Sequence, residues 1–154
     1  MNAETTPHCT ALGFDDKRIQ EVLSMLRLGE EHRAIAERIR TQVIAGSADE
    51  LVDRCFTAFA RTRGFSLIER NIGVESFKQT WINRLRCFGL DFDTAVYFEE
   101  RLATAAAFAR AKIHLSLLHI PYCLTQEILI EALSEKFNDS ARTLWPLLNA
   151  VLKL

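Results

Sequence analysis

The 154-residue sequence is poor in the residues that break or cross-link a chain. Three prolines and six glycines are too few for a loop-rich β-sandwich or a disordered linker. Excess charge of either sign is also missing. The 19 Lys and Arg against 20 Asp and Glu leave a formal net charge of −1, without the broad basic field that nucleic-acid or membrane-surface binding uses. No apolar run approaches the length of about 18 residues that a membrane span needs. The N-terminal MNAETTPHCTALGF has no charged segment leading into an apolar one, so no signal peptide is predicted. The four cysteines, Cys9, Cys55, Cys87 and Cys123, are far apart and form no CxxC pair. They read as buried free thiols of a reduced, cytoplasmic protein. GxSxG, GxGxxG, a Gly-rich phosphate loop and HExxH are all absent, so no enzyme active site is expected in this chain.

What the sequence does have is apolar residues, 49% of the chain, set at helical spacing. Residues 1–13 lack periodicity and read as a flexible tail, leaving one domain over 14–154. Ile19, Val22, Leu23 and Leu26 form one helical face, opened by Asp15 or Asp16 and stopped by Gly29. Ile35, Ile39 and Val43 mark a helix over 30–44 that ends at Gly46. Ser47 or Asp49 caps the next, which turns Leu51, Val52, Cys55, Phe56 and Phe59 inward. Residues 64–73 read as a packed corner. Phe77, Trp81, Leu85 and Phe88 then form a buried face that ends at Gly89.

From Asp91 or Asp93 a longer helix carries Ala95, Phe98, Leu102, Ala105 and Ala109, with a loosening at 114–116. Residues 116–137 resume the period with Leu117, Leu124, Ile128 and Leu129, kinked or restarted by Pro121. Asn138, Asp139 and Ser140 form a turn and cap before a last helix over 141–154, which tolerates Pro146 only in its first turns. Its apolar pattern still runs at Leu154, as expected of a domain cut within its last helix. No strand alternation or internal repeat occurs, so the fold class is all-α with about seven helices.

Few side chains suggest chemistry. His119 and Cys123 are four apart on one helical face, but two ligands make no metal site, and the reading is packed side chains with no metal. The pairs Asp15–Asp16, Glu30–Glu31 and Glu99–Glu100 diverge on a helix and read as solvated surface. Ten Phe stand against two Tyr and two Trp. Phe56, Phe59, Phe77, Trp81 and Phe108 fall on buried faces, where they either fill a core or line an apolar pocket able to hold a small apolar ligand.

YFEERLATAAAFARAKIHLSLLHIPYCLTQEILI, residues 97–130, resembles the central stretch of globin-coupled sensor domains, haem-based oxygen sensors placed before signalling outputs. ADELVDRCFTAF (48–59) is similar to that family's distal helix, ESFKQTWINRLRCFG (75–89) to the helix after it, and LGFDDKRIQEVLSML (12–26) to its extra N-terminal helix. The resemblance implies a globin-like fold with that extra helix. It also implies a homodimer through the last two helices, with Leu117, Leu124, Ile128, Leu144, Leu148 and Val151 as interface candidates, and a C-terminal output domain. The wording of residues 115–130 looks most like sensor globins fused to diguanylate cyclases.

The chain departs from the family at its two chemical positions. The register fixed by Arg101, Leu102, Arg110 and residues 115–117 puts Phe108 where the family has its iron-binding histidine, and Phe56 takes the place of the distal tyrosine. Phenylalanine offers iron no lone pair and a diatomic ligand no donor. His114 lies six residues beyond Phe108, about 9 Å along a straight helix and about 120° around it, and cannot reach the same iron. The expectation is therefore a haem-free sensory or dimerisation domain, with haem or apolar-ligand binding by atypical ligation as the alternative. An empty cavity costs about 24 cal/mol per Å³, so a void of haem size is expected to be filled by the rings.

Overall fold

The computed structural model describes residues 7–137 and 141–154. The expected turn and cap at Asn138, Asp139 and Ser140 lie outside the described residues, as does the tail up to residue 6. Among the described residues there are nine α-helices and no strand: α1 (Pro7–Ala11), α2 (Asp16–Leu26), α3 (Glu30–Ile39), α4 (Ala48–Phe59), α5 (Phe65–Asn71), α6 (Val74–Arg86), α7 (Ala95–Arg110), α8 (Ser116–Phe137) and α9 (Ala141–Lys153). The all-α class is as expected. The two helices beyond the expected seven are the short α1 and α5.

Local chemistry sets most boundaries. Asp15 caps α2, its carboxylate accepting the Arg18 N–H at 2.8 Å. The stop of α2 is Arg27, not Gly29; Arg27 takes the left-handed conformation at φ 53° and donates its N–H back to the Leu23 and Ser24 carbonyls. Gly29 instead starts α3, and its N–H is accepted by Nδ1 of the buried His32 at 3.1 Å. α3 runs on as a π-helical turn, Arg40–Ile44, before Gly46 turns the chain at φ 85°. α7 starts from Thr94 instead of Asp91 or Asp93. Pro121 and Pro146 both lie inside their helices, and α8 is neither interrupted nor restarted at Pro121. At the sixth position of α8, the missing N–H deprives the Leu117 carbonyl alone.

The main core gathers the inward faces of α4, α6 and α8, with Ile39, Val43 and Ile44 from α3 and its π turn, Phe108 from α7 and Leu147, Ala150 and Val151 from α9. α8 packs on both α4 and α9, and α9 also touches α3. A smaller cluster of Ile19, Leu23 and Phe92 fixes α2 against the start of α7. Across 64–73, the expected corner is the helix α5, with Ile68 fully buried.

Two sequence expectations fail at the surface. Cys9 and Cys55 are buried, but Cys87 and Cys123 are exposed, because Cys87 closes the end of α6 and Cys123 faces outward on α8. Residues 7–11, expected within the tail, form α1 and dock on α7. The contact is Glu99, expected as solvated surface. Its carboxylate accepts the backbone N–H groups of His8 (3.0 Å) and Cys9 (2.8 Å) and meets His8 Nδ1 at 2.5 Å.

Candidate functional site

The centre of the molecule is a chain of aromatic rings contributed by three helices. α4 turns Phe56 and Phe59 inward, α6 adds Phe77 and Trp81 one turn apart, and α7 adds Phe108 near its C-terminal end. All five side chains are buried. Phe77 sits in the middle, with ring centroids 5.7 Å from Phe56, 5.7 Å from Phe108 and 5.1 Å from Trp81. Phe59 meets Phe56 edge-on at 6.2 Å. These are the separations of packed aromatic pairs. The five residues expected either to fill a core or to line an apolar pocket thus form one run of touching rings, in which Phe77 bridges Phe56 and Phe108.

Polar groups pin the stack from below. Trp81 Nε1 donates to Thr125 Oγ1 at 2.8 Å, and Thr125 donates in turn to the Pro121 carbonyl at 2.7 Å. The Cys55 thiol reaches the same carbonyl at 3.6 Å. Burial pushes the Cys55 thiol above the ordinary range, with the Thr125 hydrogen bond opposing it, so this sulfur stays protonated and serves packing.

Space remains on either side of the rings. Only Phe108 of α7 is buried, and α7 stands off from α6 across an open cleft of about 470 Å³ edged by Phe77, Phe108, Thr80, Asn83, Glu100 and Thr104. A second, smaller cavity of about 90 Å³ lies between α6, α7, α8 and α9, lined by Trp81, Leu85, Leu129 and Val151 together with Arg84, Arg101 and Tyr122. Arg84 donates to the Tyr122 hydroxyl at 2.6 Å and to Thr104 at 2.8 Å. Arg101 stacks on the Tyr97 ring, 3.2 Å from its centroid. Sequence periodicity missed these arginines, because long charged side chains inside a helical pattern read as surface.

The residues present do not fit haem as a histidine-ligated globin would hold it. Phe108, which the resemblance sets at the proximal position, is a buried benzyl group in contact with Phe77. His114 is exposed beyond the end of α7, 2.7 Å from Ser116 Oγ, and His119 is exposed on α8. His8 is engaged by Glu99, and His32 lies between Gly29 and Lys153. His119 and Cys123 face solvent, not the core as expected. Among the described residues, no group of three or more His, Cys, Asp or Glu side chains gathers as a metal site requires.

Of the interface candidates, Ile128 and Val151 are buried within this protomer, and Leu117, Leu124, Leu144 and Leu148 are partly buried against the same core. The apolar side chains that α9 leaves in solvent are Trp145 and Leu152, 71% and 62% exposed. Among the described residues, no helix is long and apolar enough to cross a membrane.

The chain matches no curated protein and no solved structure. The sequence profile of the Protoglobin family matches residues 15–154, from the cap of α2 through all of the helices that enclose the ring stack. With an all-α fold and an N-terminal helix ahead of the globin helices, the chain belongs to the Protoglobin family and is a globin domain of the sensor-globin kind.

Proposed function

We propose that this chain is a haem-free globin-like sensory and dimerisation domain that regulates a C-terminal signalling output, with a diguanylate cyclase as the output that the sequence resemblance favours. A Protoglobin domain is not in itself an enzyme domain, and no residue here is assigned a catalytic step. The observation that carries the haem-free reading is the contact of Phe56 and Phe108 with Phe77. Rings replace both the iron ligand and the ligand-stabilising hydroxyl, and they fill the space between those positions. The domain then acts through helix packing, by shifting its dimer interface between two arrangements. The dimer forms through the outer face of α9, where Trp145 and Leu152 lie seven residues apart on one side.

The experiment is a visible absorption spectrum of the chain purified from haem-supplemented cells, followed by native mass spectrometry. A colourless protein at its polypeptide mass is the expected result, and a Soret band overturns the reading. The open cleft between α6 and α7 favours a second reading, a sensor that takes haem or an apolar ligand by atypical ligation. An extra bound mass in the native spectrum supports it.

A further inference from the structure

We propose that Arg84 and Arg101 form a binding site for a small oxyanion, of acetate or nitrate size, in the cavity between α6, α7, α8 and α9. The two guanidinium groups line the same cavity from different helices. Both side chains are only partly exposed, and among the described residues neither has a carboxylate within ion-pair distance. A sheltered cation without a counter-charge is costly, and two that share a cavity repel. Burial pulls the Arg101 guanidinium below its usual range, and the charge of Arg84 adds to the fall, while Tyr97, Tyr122 and Glu100 act against it. An anion in the cavity relieves both effects.

The donor geometry suits an oxyanion. Arg101 spends one of its five N–H donors, Nη1 on the Tyr97 carbonyl at 3.1 Å. Arg84 is held in place by Tyr122, Thr104 and the Glu100 carbonyl. Because the Tyr122 oxygen accepts from Arg84, its own proton is free to donate. Tyr97 is not available, since its hydroxyl donates to a main-chain oxygen of Leu154 at 2.9 Å. Planar guanidinium forks match carboxylate and nitrate oxygens. The other walls are mainly apolar, from Trp81, Leu85, Phe88, Leu129, Val151 and Leu154, with Thr125 and Gln126 between them. At about 90 Å³ the cavity is the smaller of the two spaces beside the rings, which favours a ligand of few heavy atoms.

The inference goes beyond the haem-free reading and is tested apart from it. Arginine-¹⁵N-labelled chain is titrated with sodium acetate, and in parallel with sodium nitrate, from a low-salt zwitterionic buffer while the Nε–Hε resonances are followed. Two resonances are expected to shift along a saturable curve, and Arg101→Gln removes that saturation while Arg38→Gln leaves it. Should Arg101→Gln fail to fold, Tyr122→Phe removes one hydroxyl and is expected to weaken the apparent affinity about tenfold, as loss of a hydrogen bond to a charged group does. Linear shifts shared by all arginines, saturation that survives Arg101→Gln, or an unchanged affinity in Tyr122→Phe overturns the assignment. A Soret band in the same sample overturns the haem-free reading without touching these arms.

Discussion

At the residue scale, the ring stack and Glu99 carry the most consequence. Phe108 is 1% exposed and packs on Phe77, so Phe108→Ala should cost about 3–5 kcal/mol of unfolding free energy in a denaturant titration. A cost well below that range would mean that the Phe108 ring is not packed in the core. Burial acts to raise the Glu99 carboxyl, but the N–H groups of Cys9 and His8 and the His8 ring outweigh it and hold the group down at about 2. A depressed carboxyl stabilises the fold above its unfolded value, about 4.3, and loses that contribution as pH falls towards 2. The α1 clasp should therefore loosen across that window. Cys9 reports the clasp at neutral pH, where the exposed Cys87 and Cys123 are expected to react with a disulfide reagent while Cys9 and Cys55 are buried. Glu99→Gln should expose Cys9 to the reagent already at neutral pH, and a Cys9 that stays as protected as in the parent chain would refute the clasp.

At the element scale, the sequence showed what repeats and concealed what is paired from afar. The faces of α4 and α6 were legible because Phe56, Phe59, Phe77 and Trp81 recur at helical spacing. α1 was not, because a five-residue helix has no stable face of its own, and what holds it is Glu99, about 90 positions away. The sequence points to Gly29 as the stop of α2 because glycine is the usual left-handed cap, yet Arg27 takes the position. The small cavity was illegible for a similar reason, since Arg84, Arg101 and Tyr122 meet only when three helices align.

The sequence carries the buried face of α6 on to Gly89, but the helix stops at Arg86 with Cys87 as its cap, and Gly89 lies in the turn that follows. Its φ is 62°, and a Cβ there would come within 2.5 Å of Ala36 Cβ. Left-handed strain alone costs about 1–2 kcal/mol, so Gly89→Ala should lose at least about 2 kcal/mol in equilibrium unfolding. A neutral substitution would mean that the turn after α6 can move away from α3.

At the scale of the whole molecule, the helices wrap a filled centre, with α7 the loosest of the long ones. Its sixteen residues bury one side chain, and the α1 clasp and the Phe108 contact fix its two ends. A domain of this build can relay a change in packing without a prosthetic group at its centre. The relay surface proposed here is the outer face of α9. Trp145→Glu is expected to shift the protein from dimer to monomer in size-exclusion chromatography with light scattering, without altering its helical circular dichroism. A parent chain that is already monomeric would remove that surface from the account.

The central claim is that the rings of Phe56, Phe77 and Phe108 occupy the space where a sensor globin holds haem. A titration of the purified chain with haemin, followed in the Soret region, tests it most directly. The account predicts the spectrum of free haemin throughout, with no saturable change. A sharp Soret band that saturates at one haem per chain would contradict it.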